Sequence, residues 1–125
     1  MTSKLLIILH LFLFSCSSTR MIETSLYFGL SKPAGGMVSE KEWNNFRENY
    51  ISKVFKEGST VISTSGSWLD PSSHKLITEP GYVVIYNYKK SAFISKQIDS
   101  LRYWYKTLYQ QQSVMRVDKK TQTRF

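Results

Sequence analysis

Few side chains in this sequence combine a reactive type with a position where they could act on a ligand. Glu23 and Tyr27 lie on the polar side of an alternating segment, and Glu79 directly precedes a Pro-Gly step. Arg116 interrupts an otherwise apolar alternating segment. Carboxylate, phenol and guanidinium groups that meet at one surface can bind a polar or charged ligand. We therefore predict these four residues as ligand-binding; the alternative is an intramolecular Arg–Glu pair or ordinary surface charges.

The residue sets of common catalytic sites are missing from the sequence. His74 lies in a predicted loop without a partner, and no spaced cysteine, histidine and carboxylate set suits a metal ion. Glu40 and Glu42 form a close acidic pair, but acidic residues in the first turn of a helix are explained by the helix dipole. We therefore predict no catalytic residue, no cofactor and no metal site.

The only cysteine, Cys16, follows a largely apolar run over residues 5–14. A bilayer span needs about 20 residues, so this run better suits the apolar core of a secretory signal. The residues Leu13-Phe14-Ser15-Cys16 resemble the lipobox of bacterial lipoproteins. The resemblance implies cleavage before Cys16, a lipid on its sulfur, acylation of the new amino terminus and stable attachment to a bilayer. The alternative is an ordinary secretory signal with an incidental cysteine.

These features divide the chain into a lipoprotein signal peptide over residues 1–15, a tether over 16–20 and a single domain over 21–125. Ser17 after the cysteine resembles the sorting signal of Gram-negative lipoproteins that reach the outer membrane. The resemblance implies a location in the bacterial cell envelope, on the outer membrane and facing the periplasm.

The formal net charge is +8, which suits nucleic acid, an anionic membrane surface or simple solubility. The basic residues are scattered along the sequence, with Lys89–Lys90 and Lys119–Lys120 as the only adjacent lysine pairs. Long blocks of like charge are what usually mark a dedicated binding tail. The pattern therefore favours a solvated surface.

The domain begins with a strand, a turn and a helix. Alternation of apolar and polar residues over 22–30 predicts a half-buried strand. The Pro- and Gly-containing segment 31–36 predicts a structural turn, because the spacing of a phosphate-binding P-loop is missing. Ser39 and Glu42 have the spacing of a capping box, so a helix is predicted over about 40–55.

The second half of the domain shows the same two periodicities. Residues 59–68 and 76–88 are rich in strand-forming residues and predict a hairpin. Residues 91–110 carry a sustained apolar stripe at helical spacing, contributed by Ile94, Ile98, Leu101, Tyr105 and Leu108. Residues 113–118 alternate again and predict a fourth strand, and 121–125 predict a short terminal strand or cap.

The resulting order is β-α-β-β-α-β, which typically folds as a split βαβ, or ferredoxin-like, sandwich. We therefore predict an α+β domain with a four-stranded antiparallel sheet and two helices on one face. The apolar side of the first strand should pack under both helices. Its other side, with Glu23, Ser25 and Tyr27, should face solvent or a partner.

A set of segments in this chain resembles the bacterial domain-of-unknown-function family 3574 in order and spacing. The segments are ETSLYFGLSKPAGG, MVSEKEW, EGSTV, SGSW and QQSVMRVD, followed by a terminal Phe. The resemblance covers nearly the whole mature chain and implies a small exported protein or lipoprotein. It implies no activity and no catalytic residues.

We expect a binding module that uses the helix-free sheet face for a ligand, a second copy or an envelope protein partner. The alternative is a small enzyme of the ferredoxin-like dimeric barrel type, with oxygenase or isomerase chemistry. A nucleic-acid partner is not expected, because the RNP pattern of base-stacking sheets is missing. If Arg116 serves a ligand, Arg116→Ala should leave folding nearly intact; if the change mainly unfolds the domain, Arg116 is structural.

Overall fold

Four strands and two helical segments form the part of the chain that the computed structural model describes, residues 19–124. The predicted signal peptide, Cys16 and most of the tether lie outside these residues. The elements are β1 Thr19–Gly29, α1 Glu40–Phe46, a π-helical turn Arg47–Ile51, α2 Ser52–Val54, β2 Thr60–Leu69, β3 Leu76–Tyr88, α3 Ala92–Tyr109 and β4 Met115–Thr123.

The four strands form one antiparallel sheet in the order β2-β3-β1-β4. Segment 40–54, which contains α1, the π-helical turn and α2, connects β1 to β2, and α3 connects β3 to β4. This is the predicted ferredoxin-like α+β architecture, so the predicted fold class is confirmed.

Both helical segments pack on the same side of β1. The ring centre of Phe28 lies 5.4 Å from that of Trp43 in α1 and 4.8 Å from that of Tyr105 in α3. Trp43 also stacks on Tyr82 of β3, with ring centres 4.4 Å apart. Such aromatic pairs add about 0.5–1.5 kcal/mol each beyond their area burial. The core is therefore an aromatic layer between helices and sheet, and the opposite sheet face carries no helix within residues 19–124.

Local sequence explains where the helices begin and end. The Ser39 hydroxyl accepts from the Glu42 amide at 3.1 Å, and the Glu42 carboxylate accepts from the Ser39 amide at 2.8 Å. This is the predicted capping box. The Ser91 hydroxyl caps α3 by accepting from the Ile94 amide at 3.2 Å. The helix α3 ends at Tyr109, and the next residue, Gln110, caps it in the left-handed conformation with a φ of 55°.

Two strand boundaries and one buried position differ from the sequence prediction. β1 begins at Thr19, inside the predicted tether, because Thr19 pairs with Thr123 of β4. β4 runs unbroken to Thr123, so a separate terminal strand is not formed. Leu108, predicted in the apolar stripe of α3, is 45 % exposed, while Tyr109 is buried. Tyr109 follows Tyr105 at the four-residue spacing of one helix face.

None of the helices within residues 19–124 is long and apolar enough to cross a membrane.

Candidate functional site

The helix-free face of the sheet is apolar along one row that crosses all four strands. The register places Ile62 opposite Val83, Val83 opposite Tyr27, and Tyr27 opposite Met115. Ile62, Tyr27 and Met115 are 45 %, 39 % and 54 % exposed. We call this row, together with the exposed Val117 on β4, the apolar strip. Clustered apolar side chains on a surface typically mark an interaction site. The homodimer or envelope-protein contact expected for this face stays a prediction.

Beside the apolar strip, three neighbouring strands carry glycine on the same face. Gly29 of β1 pairs directly with Gly81 of β3, and Gly66 of β2 lies opposite Glu79, one same-face position beyond Gly81. Glycine in a strand interior weakens the strand and often marks a place where something approaches the backbone closely. The three glycines leave a floor without side chains.

Side chains around this floor build a cleft of about 560 Å³. Tyr27 and Met115 close it on the side of the apolar strip. Trp68 and Ile77, paired near the tip of the β2–β3 hairpin, close the opposite end and are 52 % and 38 % exposed. The loop after β1 and the segment before β4 form the remaining rim. A pocket of this volume is in the size range of small-molecule sites.

Glu79 is the carboxylate of the cleft, and the surrounding backbone holds it in place. Its Oε1 accepts from the Ser31 amide at 3.2 Å. The Ser31 carbonyl in turn accepts from Gln111 Nε2 at 3.0 Å, which ties the loop after β1 to the segment before β4. The Glu79 carboxylate lies directly over Gly29, where a Cβ would collide with it. The glycine therefore makes room for this carboxylate.

A hydrogen bond from the helix side of the sheet also fixes the glycine floor. The Tyr105 hydroxyl donates to the Gly29 carbonyl at 2.8 Å. Burial of the Tyr105 ring between helix and sheet, with the nearby Tyr109, raises the pKa of its hydroxyl above the usual tyrosine range. Tyr105 therefore stays a neutral donor at ordinary pH and keeps the end of β1 fixed.

The cleft combines exposed aromatic rings with a single positioned carboxylate. Exposed aromatic rings and a positioned carboxylate attract a cation or a flat ring that carries hydrogen-bond donors. Glu79 is the only acidic residue among those lining the cleft within residues 19–124, and no group of three histidine, cysteine or acidic residues in that range could hold a metal ion.

The structure brings together only two of the four residues predicted from the sequence. Tyr27 and Glu79 both line the cleft. Glu23 lies on the same sheet face but six residues before Gly29 along β1, where its carboxylate pairs with Lys119 Nζ at 3.0 Å. Arg116 lies on the helix side of the sheet, because it is paired with the fully buried Leu26. The expectation that all four surround one cleft is therefore corrected.

Arg116 ties α3 to the sheet. Its side chain is only 10 % exposed, and its guanidinium donates to the carboxylate of Asp99 at 3.0 Å and to that of Asp118 at 3.1 Å. It also donates to the Ser95 carbonyl at 3.1 Å and to the Tyr88 hydroxyl at 3.3 Å. Desolvation opposes the charged form of Arg116, but the two carboxylates outweigh it and raise the pKa of the guanidinium. These contacts fit a structural role.

Most of the cleft was not recognised from the sequence. Gly29, Gly66 and Gly81 each interrupt a predicted strand, and that interruption was a usable signal for close backbone approach. Trp68 and Gln111 carried no such signal, because their place depends on the hairpin tip and on the loop after α3.

The fold and the cleft define the class: a ferredoxin-like α+β domain with an open, glycine-floored cleft on its helix-free face. Two solved structures share the fold. A phage SAM lyase in complex with S-methyl-5'-thioadenosine superposes with a TM-score of 0.57 at 12 % identity, covering 82 % of this chain and 90 % of that one. A phage SAM lyase in the apo state gives 0.56 at 12 % identity, covering 79 % of each chain.

The chain belongs to the DUF3574 family, described as a protein of unknown function, whose model matches residues 23–125. The family resemblance predicted from the sequence is thereby confirmed. A search among curated proteins finds no match.

Proposed function

We propose that this protein is a binding module that takes a small ligand into the cleft on its helix-free sheet face. The observation that carries this proposal is the glycine floor. Three adjacent strands lose their side chains at one place, while Tyr27, Trp68 and Glu79 stand around it. Glycine is costly in strand interiors, and here it creates a recess beside a positioned carboxylate.

The ligand class follows from the cleft lining. Trp68 and Tyr27 offer exposed ring faces, and Glu79 offers one negative charge that the Ser31 amide orients. Lys32, which also lines the cleft, pairs with Glu42 at 3.5 Å outside the lining. A flat apolar body with a positive charge or a hydrogen-bond donor complements this set.

The similar fold of the phage SAM lyases suggests the first probes. One of them holds S-methyl-5'-thioadenosine, a neutral nucleoside with a flat purine ring. S-adenosylmethionine carries the same nucleoside on a sulfonium sulfur that also bears an amino acid chain with an ammonium and a carboxylate. The two compounds therefore differ in this chain and in the positively charged groups, sulfonium and ammonium, that Glu79 would recognise.

The experiment is calorimetric titration of the full-length chain, in mild detergent, with S-adenosylmethionine and with S-methyl-5'-thioadenosine. We expect Glu79→Gln to weaken binding of the sulfonium by about 10- to 100-fold, the usual effect of losing a charged hydrogen bond, and to change binding of the thioether little. Gly66→Val fills the floor and should weaken both, because a Cβ at residue 66 has no neighbour closer than 3.9 Å and the added side chain can stand above the floor.

Two matched variants control these changes. Glu48→Gln removes an exposed carboxylate from the helical segment, and Ser65→Val places the same valine side chain on the other side of β2. Neither should change affinity. The proposal is refuted if neither compound binds saturably, or if Glu79→Gln and Gly66→Val bind as the unchanged protein does.

A second candidate is an enzyme that uses the same cleft. The shared fold with two SAM lyases favours testing S-adenosylmethionine as a substrate before the oxygenase or isomerase chemistry considered from the sequence. Chromatography of S-adenosylmethionine incubated with the protein would show its loss over time. If the compound is recovered intact while it still binds, the binding module is supported and the enzyme is not.

We also propose that the domain works in the bacterial cell envelope, held to a membrane by acylated Cys16. The support is the lipobox-like sequence Leu13-Phe14-Ser15-Cys16 after an apolar run. Mass analysis of the mature amino terminus tests it. An unmodified cysteine, or an intact residue 1, would refute lipid attachment.

A further inference from the structure

Basic side chains that are scattered along the sequence gather at one end of the sheet. β1 starts at this end, and β3 and β4 finish there. The exposed residues concerned are Arg20, Lys89, Lys90, Lys119, Lys120 and Arg124. We call this end the basic pole.

The strand register shows how close these residues are. Ile22 of β1 lies opposite Tyr88 of β3 on one side and opposite Lys120 of β4 on the other. With about 4.8 Å between strands, Lys120 is about 10 Å from the residue that immediately precedes Lys89–Lys90. That separation is about one Debye length at 0.1 M salt, so the charges act as one patch.

The end of the helical segment 40–54 adds two lysines to the basic pole. Phe55 follows this segment and stacks on Tyr86, with ring centres 4.1 Å apart, and Tyr86 stacks on Tyr88. The stack brings the exposed Lys53 and Lys56 to the same end of the sheet.

Acidic residues near the basic pole do not cancel its charge. Eight basic residues face three acidic ones there, a net charge of +5. The acidic three already have partners: Glu23 pairs with Lys119, Glu57 accepts from the Tyr86 hydroxyl, and Asp118 accepts from Arg116. At the opposite end of the sheet, around the cleft, four basic and four acidic residues balance: Lys32, Lys41, Lys75, Lys106, Glu40, Glu42, Asp70 and Glu79.

The remainder of the chain also joins the domain at the basic pole. β1 begins at Thr19, so the preceding residues 1–18, with their apolar run over 5–14, enter the domain at this end. An apolar segment of this kind and a patch of lysines next to it suit the same partner, a bilayer with negatively charged headgroups.

We propose that the basic pole lies against the anionic phosphate headgroups of a lipid bilayer. In this orientation the start of β1 and the ends of β3 and β4 contact the membrane surface. The cleft faces away, because Gly29 is nine residues along β1 from Arg20, a distance of about 30 Å. The proposal goes beyond ligand binding in the cleft and does not require acylation of Cys16.

The expected strength comes from the number of lysines near the surface. Each Lys or Arg held at an anionic membrane contributes about 1 kcal/mol, which is about fivefold in affinity. Removing three of them should therefore weaken binding to anionic vesicles by about 100-fold at low salt.

The test measures co-flotation of the full-length chain, made cell-free without lipid-modifying enzymes, with two kinds of vesicle. One is phosphatidylcholine alone, and the other contains phosphatidylglycerol. The ratio of the two affinities isolates the contribution of charge, because the apolar N-terminal segment is the same in both. The pole variant is Lys89→Gln with Lys90→Gln and Lys120→Gln. The control variant is Lys41→Gln with Lys75→Gln and Lys106→Gln.

We expect the unchanged protein and the control variant to prefer phosphatidylglycerol vesicles, with a preference that declines as salt rises. In the pole variant the preference should fall by about 100-fold at low salt, whereas the control variant should keep it. Equal affinity for both vesicles would overturn the proposal, and so would an equal loss in the pole and control variants, since total charge alone would then explain binding. Tighter, pole-dependent binding to double-stranded DNA at the same salt concentration would assign the basic pole to nucleic acid instead.

Discussion

Arg116→Ala distinguishes a structural arginine from a ligand-binding one. In the structure, the Arg116 guanidinium joins β4 to α3 through Asp99 and Ser95, and it reaches Tyr88 of β3. The change to alanine removes these bonds together and leaves a gap between helix and sheet. We therefore expect loss of stability and no direct effect on the cleft.

The magnitude follows from the burial of the partners. Removing one member of a fully buried ion pair costs about 3–5 kcal/mol. Here Asp99 and Asp118 are 55 % and 44 % exposed, so water can replace part of what they lose. Water does not replace the packing of the aliphatic part of the arginine, and the hydrogen bond to the Ser95 carbonyl is lost as well. We expect a loss of about 3 kcal/mol, which lowers the melting temperature of a domain of this size by roughly 10 to 20 °C.

Thermal unfolding followed by circular dichroism measures this effect. Arg47→Ala is the matched control, because Arg47 is exposed on the π-helical turn, and it should shift the melting temperature by less than about 3 °C. If Arg116→Ala melts like the unchanged protein but loses ligand or self-association, the structural assignment of Arg116 is wrong.

Two further predictions concern the sheet and the aromatic core. Gly81→Ala should cost about 1–3 kcal/mol in urea unfolding, because its Cβ would meet the Phe28 carbonyl oxygen at 2.7 Å, whereas Gly66→Ala, with its nearest neighbour at 3.9 Å, should cost nothing. Burial raises the pKa values of Tyr86, Tyr105 and Tyr109, so stability should be full below about pH 10, where unfolded tyrosines begin to ionise, and fall as pH rises further. A tyrosinate absorbance titration in which these three ionise together with the exposed tyrosines, before any unfolding, would contradict this.

Much of the fold could be read from short-range pattern. Alternation over 22–30 and the apolar stripe of α3 each reflect one periodicity within one element, and the capping box at Ser39 spans four residues. The order β-α-β-β-α-β leaves few ways to pair the strands, so the ferredoxin-like sheet followed from the sequence.

The direction of Arg116 could not be read in the same way. Alternation in β4 separates Arg116 and Asp118 from the apolar Met115 and Val117, and the apolar side is the one that the pattern alone would place against the helices. Only the packing of α3, which supplies Asp99, decides that the charged side is the covered one. A buried guanidinium is stable there because α3 supplies Asp99 and the Ser95 carbonyl, while Asp118 comes from β4 itself.

The sequence by itself therefore determined the elements, their order and the side of β1 that is buried, because these depend on neighbours within one strand or helix. The tertiary structure decided where the cleft and the basic pole are. Gly29, Gly66 and Gly81 make one floor only because three strands align in register, and Arg20, Lys89 and Lys120 make one patch only because three strand ends meet. Both features arise from contacts between residues far apart in the chain. The pattern of a single segment therefore does not predict them.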